Sequence, residues 1–261
     1  IAWNLVTWKF GIPSSSSHTL IGGFMGAALT HAFTTHDTLQ GVINVAKVFP
    51  IVLFIFVAPL LGMIMAYLIT VAIMHICKKT TPHKADVWFR RMQLVSSALF
   101  SLGHGANDAQ KVMGIIGAAV IFYHVQAGDA EWIDSPDRFA HFVEEWGWVP
   151  LTSFIVIGLG TMSGGWKIVK TMGSKITKVT SLEGVSAETA GAITLYVAEH
   201  LGIPVSTTHT ITGAIIGVGL TKRVSAVRWG ITVSLLWAWI LTIPISAIVA
   251  GITYLVVIAV R

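Results

Sequence analysis

The chain is poor in charge. Asp, Glu, Lys and Arg make up 11% of its 261 residues, against about 25% in ordinary soluble domains. The shortage is uneven: Val48–Met74 and Trp229–Val260 contain none of the four. Each stretch exceeds the roughly 20 apolar residues needed to cross a bilayer. A soluble core helix keeps a polar face toward water, so this pattern excludes a soluble protein and implies an integral membrane protein. Cysteine is nearly absent too. Cys77 stands alone, which excludes an intrachain disulfide and a cysteine metal cluster and reads as a small apolar residue near a membrane end. No secretory signal is visible, and the chain opens at Ile1, already inside an apolar stretch. A further segment ahead of Ile1 is therefore expected.

What charge there is collects in islands. Lys78–Arg91 holds Lys78, Lys79, Lys84, Arg90 and Arg91 against Asp86. Gly164–Glu183 holds Lys167, Lys170, Lys175 and Lys178 against Glu183, and the turn Lys222–Arg228 holds Lys222, Arg223 and Arg228. Asp129–Glu145 is acidic, with six carboxylates and only Arg138. Basic loops between apolar spans report orientation, so the three basic islands are expected to be cytoplasmic and the acidic one extracellular. The net charge of +5 is accounted for in this way and carries no signal for nucleic acid.

One segment occurs twice. Gly11–Thr30 reads GIPSSSSHTLIGGFMGAALT and Gly202–Thr221 reads GIPVSTTHTITGAIIGVGLT, identical at ten of twenty positions, where average composition gives about one or two. Each copy leads through a short polar turn into a long apolar span carrying proline (Pro50 and Pro59, then Pro244). The second copy runs into the basic turn at Lys222. The first runs into Thr30–Lys47, which has Asp37 against Lys47 and no basic excess. Equivalent turns thus fall on opposite sides of the membrane, the inverted-repeat plan of secondary transporters, whose substrate site lies between repeats near the midplane. The expected fold is an all-α polytopic membrane protein, an inverted-repeat secondary transporter with broken or re-entrant helices. Residues 1–77 are the later part of a first repeat, 78–91 a basic loop, and 92–261 a second repeat with an acidic loop at 128–146 and a basic loop at 163–183.

Ser14–Ser17 and Ser206–Thr208 follow Gly-Ile-Pro and precede His-Thr and a Gly-spaced apolar stretch. Proline suits a first helical turn and Ser or Thr a cap, so each copy predicts a helix that begins inside the membrane. Such a start offers unpaired N–H groups, the positive dipole end and clustered hydroxyls, the donors an oxyanion needs. The bland alternative is a cap plus small residues for tight packing, the role assigned to Gly22, Gly26, Gly213 and Gly217. His18 and His209, at matching places, are read either as donors and proton relays or as capping and packing residues. Ser101–Gly117, SLGHGANDAQKVMGIIG, holds intramembrane ionisable residues, Asp108 and Lys111, which are functional by default. Gly103-His104-Gly105 is expected to break the helix there and bare carbonyls beside Asn107 and Asp108. Hard oxygens of this kind suit a sodium ion. Lys111, three residues beyond Asp108, is read either as its ion-pair partner or as lending charge to an anion, and Glu199 reads as a helix-end carboxylate near the interface.

Gly-Ala-Asn-Asp with Ala-Gln-Lys, together with the paired GIPSSSSHTLIG and GIPVSTTHTITGAIIGVG, resembles the signatures of the inorganic phosphate transporter (PiT) family over nearly the whole chain. The resemblance implies a symporter of two inverted repeats that moves phosphate with sodium or protons, sometimes as a metal–phosphate complex. It implies that Ser15, Ser16, Ser17, Ser206, Thr207 and Thr208 line the phosphate site, with Gln110 and Lys111 close by. Asn107 and Asp108 would hold the coupling cation, sodium if the chain is sodium-coupled. The family carries Gly-Ala-Asn-Asp in each half, and one is present here. The 93 residues between Asp108 and Gly202, against ten before Gly11, place the other ahead of Ile1. The expected function is alternating-access, ion-coupled phosphate symport in the plasma membrane. No enzymatic activity and no cofactor beyond the co-transported cation are expected, and homo-oligomerisation is left open. Sulfate is the alternative substrate and an anion channel the alternative class. An intramembrane serine hydrolase is disfavoured, since no Gly-x-Ser-x-Gly elbow is present and paired hydroxyl clusters suit a shared ligand better than a nucleophile.

Overall fold

The computed structural model describes all residues except 37, 39, 204 and 261. Asp37 and Pro204, used above for loop charge and for the second helix start, lie outside the described residues. Among the described residues eleven α-helices follow in chain order: α1 (Ala2–Phe10), α2 (Ser16–Thr34), α3 (Val45–Cys77), α4 (Pro82–Ala127), α5 (Ala130–Asp134), α6 (Arg138–Glu145), α7 (Trp148–Met162), α8 (Trp166–Lys170), α9 (Ser181–His200), α10 (Thr207–Leu220) and α11 (Trp229–Val260). A π-helical turn, Thr171–Ile176, continues α8, and a 3₁₀ turn, Val224–Ala226, precedes α11. No strand occurs among the described residues. By length and composition α3 and α11 can each cross a membrane, and α6 with α7 form a pair bent by 76° that passes the same test together. The protein is an all-α polytopic membrane protein with a broken helix.

Residues 1–100 and 165–261 form one compact unit and residues 101–164 another. In the first, the two sequence copies exchange partners. The α2 helix of copy one packs on α11, the long span of copy two, while α10 packs on α3. Glycine makes both approaches feasible. A Cβ on Gly26 would overlap the Ala247 carbonyl of α11, and one on Gly213 would overlap the Pro59 carbonyl of α3. Buried hydroxyls in this layer turn back on their own helices, as lipid-depth hydroxyls must when water is absent. Thr70 Oγ1 donates to the Ala66 carbonyl at 2.6 Å and Thr242 Oγ1 to the Ala238 carbonyl at 2.6 Å. In the second unit Ala109, Met113, Trp132, Phe142 and Val149 form the core. Trp132 is fully buried, stacked on His124 and edge-on to His141.

Three sequence expectations change. The helix does not break at Gly103-His104-Gly105; α4 is continuous over 46 residues. Two isolated glycines cost about 1 kcal/mol each relative to alanine, less than leaving backbone groups unpaired in an apolar layer. The 78–91 segment is helical from Pro82 onward, with proline tolerated where no N–H bond is needed. The acidic and late basic loops also contain helices: Asp129 and Asp137 cap α5 and α6, and α8 with its π turn occupies the middle of 163–183.

The two later basic islands are tied together. Arg228 N–H donates to the Ile176 carbonyl at 2.9 Å, and Thr177 Oγ1 to the Ala226 carbonyl at 3.0 Å. Glu183 closes a capping box on Thr180, accepting from its N–H at 2.7 Å and from its hydroxyl, and pairs with Lys222 at 2.6 Å. Burial pushes the Glu183 carboxyl up, but hydrogen bonds from Lys222 and Thr180 outweigh it and hold the group below the usual glutamate range. A depressed carboxyl contributes stability that is complete above the unfolded pKa and vanishes as pH falls through the lowered value. The thermal midpoint of the wild type should therefore drop on acidification below about pH 4.3 by more than that of Glu183→Gln. Separately, Gly26→Ala and Gly213→Ala should each destabilise by about 1–3 kcal/mol through overpacking. Gly23→Ala, whose Cβ would meet nothing nearer than 3.9 Å, should not; tryptophan-fluorescence melting separates them.

Candidate anion site at two helix starts

Both copies break their helix by the same local device. After α1, Gly11 takes φ +68°, its N–H donates to the Trp8 carbonyl and the Ile12 N–H reaches back to Thr7 at 2.9 Å. After α9, Gly202 takes φ +64°, its N–H donates to the Glu199 carbonyl and the Ile203 N–H reaches back to Ala198 at 2.9 Å. This six-to-one closure ends a helix with its last carbonyls satisfied, and only glycine enters the left-handed region without strain. A few residues later a new helix opens on serine. Ser15 Oγ accepts from the His18 N–H at 3.2 Å, and Ser206 Oγ accepts from the His209 N–H at 3.3 Å. Pro13 lies ahead of the cap rather than in the first turn, where the sequence reading put it, so it stiffens the link instead of starting the helix.

The two helix starts meet. The His18 and His209 rings lie edge to face, 4.8 Å between centroids, and Thr208 Oγ1 donates to the Ser14 carbonyl at 3.5 Å. Both histidines are fully buried. His209 stacks on Trp239 of α11 at 4.1 Å, and Trp239 Nε1 donates to the Pro13 carbonyl at 3.1 Å. From the other side of the first link, Thr7 and Ser14 share a hydroxyl–hydroxyl bond of 2.7 Å, and Thr19 Oγ1 donates to Asn4 Oδ1 at 2.8 Å. Of the expected phosphate-lining residues, Ser15, Ser17, Ser206 and Thr207 are buried, Thr208 is half-buried and Ser16 is exposed. Ser15 and Ser206 spend their oxygens as caps, which leaves each hydroxyl proton for an acceptor in the site. Two opposed helix starts also direct their positive dipole ends at one place, an arrangement that favours an anion there.

The second unit assembles the other predicted residues on one face of α4. Lys111 Nζ donates to Asn107 Oδ1 and to Asp108 Oδ1 at 3.4 Å, and His104 Nδ1 lies 3.7 Å from Asp108 Oδ2. Asn107 is buried, and Gln110 is exposed beside this stripe. Because the helix is unbroken here, side-chain oxygens of Asn107 and Asp108, not bared carbonyls, are the groups available to a cation. Glu199 is exposed at the end of α9, as read. Glu188 was missed. This half-buried carboxylate in mid-α9 accepts from Ser96 Oγ of α4 at 2.5 Å and from the Gln93 side chain. The signal was present, a single acid within the apolar run after Gly184, and intramembrane carboxylates are functional candidates by default.

Long apolar helices, two related segments that exchange packing partners, and two internal helix starts that meet define a membrane transporter of the inverted-repeat class. The profile of the Phosphate transporter family matches residues 1–250, and the chain belongs to that family. It is 47% identical over 254 residues to a probable low-affinity inorganic phosphate transporter of Rhizobium meliloti (strain 1021), covering 97% of this chain and 70% of that one. It is 39% identical to a protein of the same description from Bacillus subtilis (strain 168), covering 98% and 71%. Among solved structures it shares its fold with a sodium-dependent phosphate transporter, with TM-score 0.76, 23% identity, and coverage of 99% of this chain and 77% of the other.

Neither ring nitrogen of His209 has a hydrogen-bond partner among the described residues. Replacing a buried unpaired polar group by an apolar one of like shape is close to neutral or stabilising. His209→Phe, which keeps the stack on Trp239, should therefore melt within about 1 kcal/mol of the wild type, whereas His209→Ala should melt several degrees lower.

Proposed function

We propose that the chain carries inorganic phosphate across the plasma membrane by alternating access, in symport with a cation. The observation that carries this reading is the meeting of the two serine-capped helix starts, with His18 and His209 4.8 Å apart. Ser15, Ser16, Ser17, Ser206, Thr207 and Thr208 would hold the anion with hydroxyls and first-turn N–H groups, and Gln110 and Lys111 would assist. Neutral donors suit a carrier. They bind an oxyanion through many modest hydrogen bonds and release it, where a cluster of guanidinium groups would retain it.

A phosphate in a low-dielectric layer needs its charge offset. We assign that role to a cation at Asn107 and Asp108; the relatives' descriptions support phosphate as the substrate, and the description of the structural neighbour as sodium-dependent supports a coupling cation. The Lys111 ammonium already rests on the same two oxygens, so an incoming sodium ion must displace it, and a proton-coupled cycle need not. Cation and phosphate then raise each other's affinity reciprocally. An imposed sodium or proton gradient would then drive uphill phosphate uptake, which an anion channel would not show.

The test is uptake of labelled phosphate into vesicles holding the full-length protein, with a sodium or a proton gradient imposed. Uphill accumulation is expected. Asp108→Asn should weaken the gradient's effect by about 5–150-fold, the usual span of a coupling energy. Accumulation unchanged in this variant overturns the cation assignment, and sulfate accumulated as well as phosphate overturns the substrate.

A further inference from the structure

We infer that the segment Gly165–Lys178, with the turn Lys222–Arg228, forms a docking surface for the phosphate headgroups of anionic lipids. The surface lies at headgroup depth. Arg228 immediately precedes Trp229, the first residue of the membrane-crossing helix α11, and its N–H bonds the Ile176 carbonyl at 2.9 Å. Thr177 bonds the Ala226 carbonyl and Lys222 Nζ bonds the Lys178 carbonyl at 3.1 Å. The last residues of this strap, Ile176–Lys178, are thereby fixed at the level where α11 enters the bilayer.

Its exposed side chains have the chemistry of that level. Trp166 is 79% exposed and Val169 57%, apolar groups with no reason to face bulk water. Between and beyond them Lys170, Lys175, Lys178, Arg223 and Arg228 are all exposed. Among the described residues none of these five has an ion-pair partner, because Glu183, the acid nearest in sequence, is already held by Lys222. Tryptophan at the interface with unpaired basic residues beside it is the composition that binds an anionic leaflet. Charge complementarity therefore selects a lipid phosphate as the occupant.

The strap also reaches the site. Thr171 Oγ1 donates to the Gly11 carbonyl at 3.0 Å, Lys167 Nζ to the Lys9 carbonyl at 3.0 Å, and Thr212 Oγ1 to Met172 Sδ at 3.5 Å. It thus grips the glycine turn before α2 and the middle of α10 together. Lipid bound outside steadies the two half-helices inside, so anionic lipid raises the stability of the folded carrier.

The experiment is thermal melting of the purified full-length protein in neutral detergent, with added phosphatidylglycerol, phosphatidylcholine or inorganic phosphate. Phosphatidylglycerol should raise the midpoint by several degrees, phosphatidylcholine should not, and added salt should diminish the rise. Lys170→Gln/Lys175→Gln/Arg223→Gln, which leaves the Glu183–Lys222 pair intact, should melt like the wild type without lipid and lose the rise. A rise retained in this variant, or an equal rise with phosphatidylcholine, overturns the inference. So does a rise given by inorganic phosphate and lost in the variant, which would make the patch a free-anion site. This readout needs no transport, so it stands or falls independently of the phosphate-carrier reading.

Discussion

Everything in the larger unit depends on how a helix is stopped and restarted where no water can satisfy its ends. An interrupted helix in an apolar layer leaves carbonyls at one end and N–H groups at the other, each costly if unpaired. The chain resolves the first half of the problem with a left-handed glycine, Gly11 or Gly202, that folds two N–H groups back onto the finished helix. It resolves part of the second half with a serine cap. Because both copies use the same device and the two restarts meet at His18 and His209, their positive ends lie together, an arrangement that favours an anion.

Two positive helix ends brought together repel, so another interaction must hold them there. The exchange of partners supplies it. Gly22 and Gly26 of α2 lie against the α11 backbone, and Gly213 and Gly217 of α10 against the α3 backbone. Each half-helix is gripped by the other repeat's long span, through contacts that tolerate no added methyl group.

The polar groups at depth are handled by two different economies. Hydroxyls are cheap, because Thr70, Thr242 and Ser246 can return their protons to carbonyls of their own helices. Charges are not, and among the described residues the buried or half-buried ones have partners, such as Lys111 with Asp108 and Glu188 with Ser96 and Gln93. His209 differs: it is fully buried, and neither ring nitrogen has a hydrogen-bond partner among the described residues. It sits where the two copies touch, against Trp239, whose indole N–H holds Pro13 in the link before α2.

Much of this was legible without coordinates. Charge-free runs identified α3 and α11 because hydrocarbon tolerates no ionised side chain over that length. The duplicated GIP-Ser/Thr-His-Thr segment announced two equivalent helix starts, since turn glycine, cap hydroxyl and Gly-spaced packing face are all local requirements written in adjacent residues. Other features needed the tertiary structure. Whether Gly103 and Gly105 break α4 depends on what surrounds that helix, and local propensity pointed the wrong way. Glu188 stood in an apolar run, but its partners Ser96 and Gln93, some ninety positions earlier, were set only by the fold. That His18 should face His209, and that α2 should choose α11 over its own neighbour α3, are decided by packing between distant segments. Local hydrogen bonds are encoded within a few residues, but which surfaces meet depends on shapes that no short stretch of chain contains.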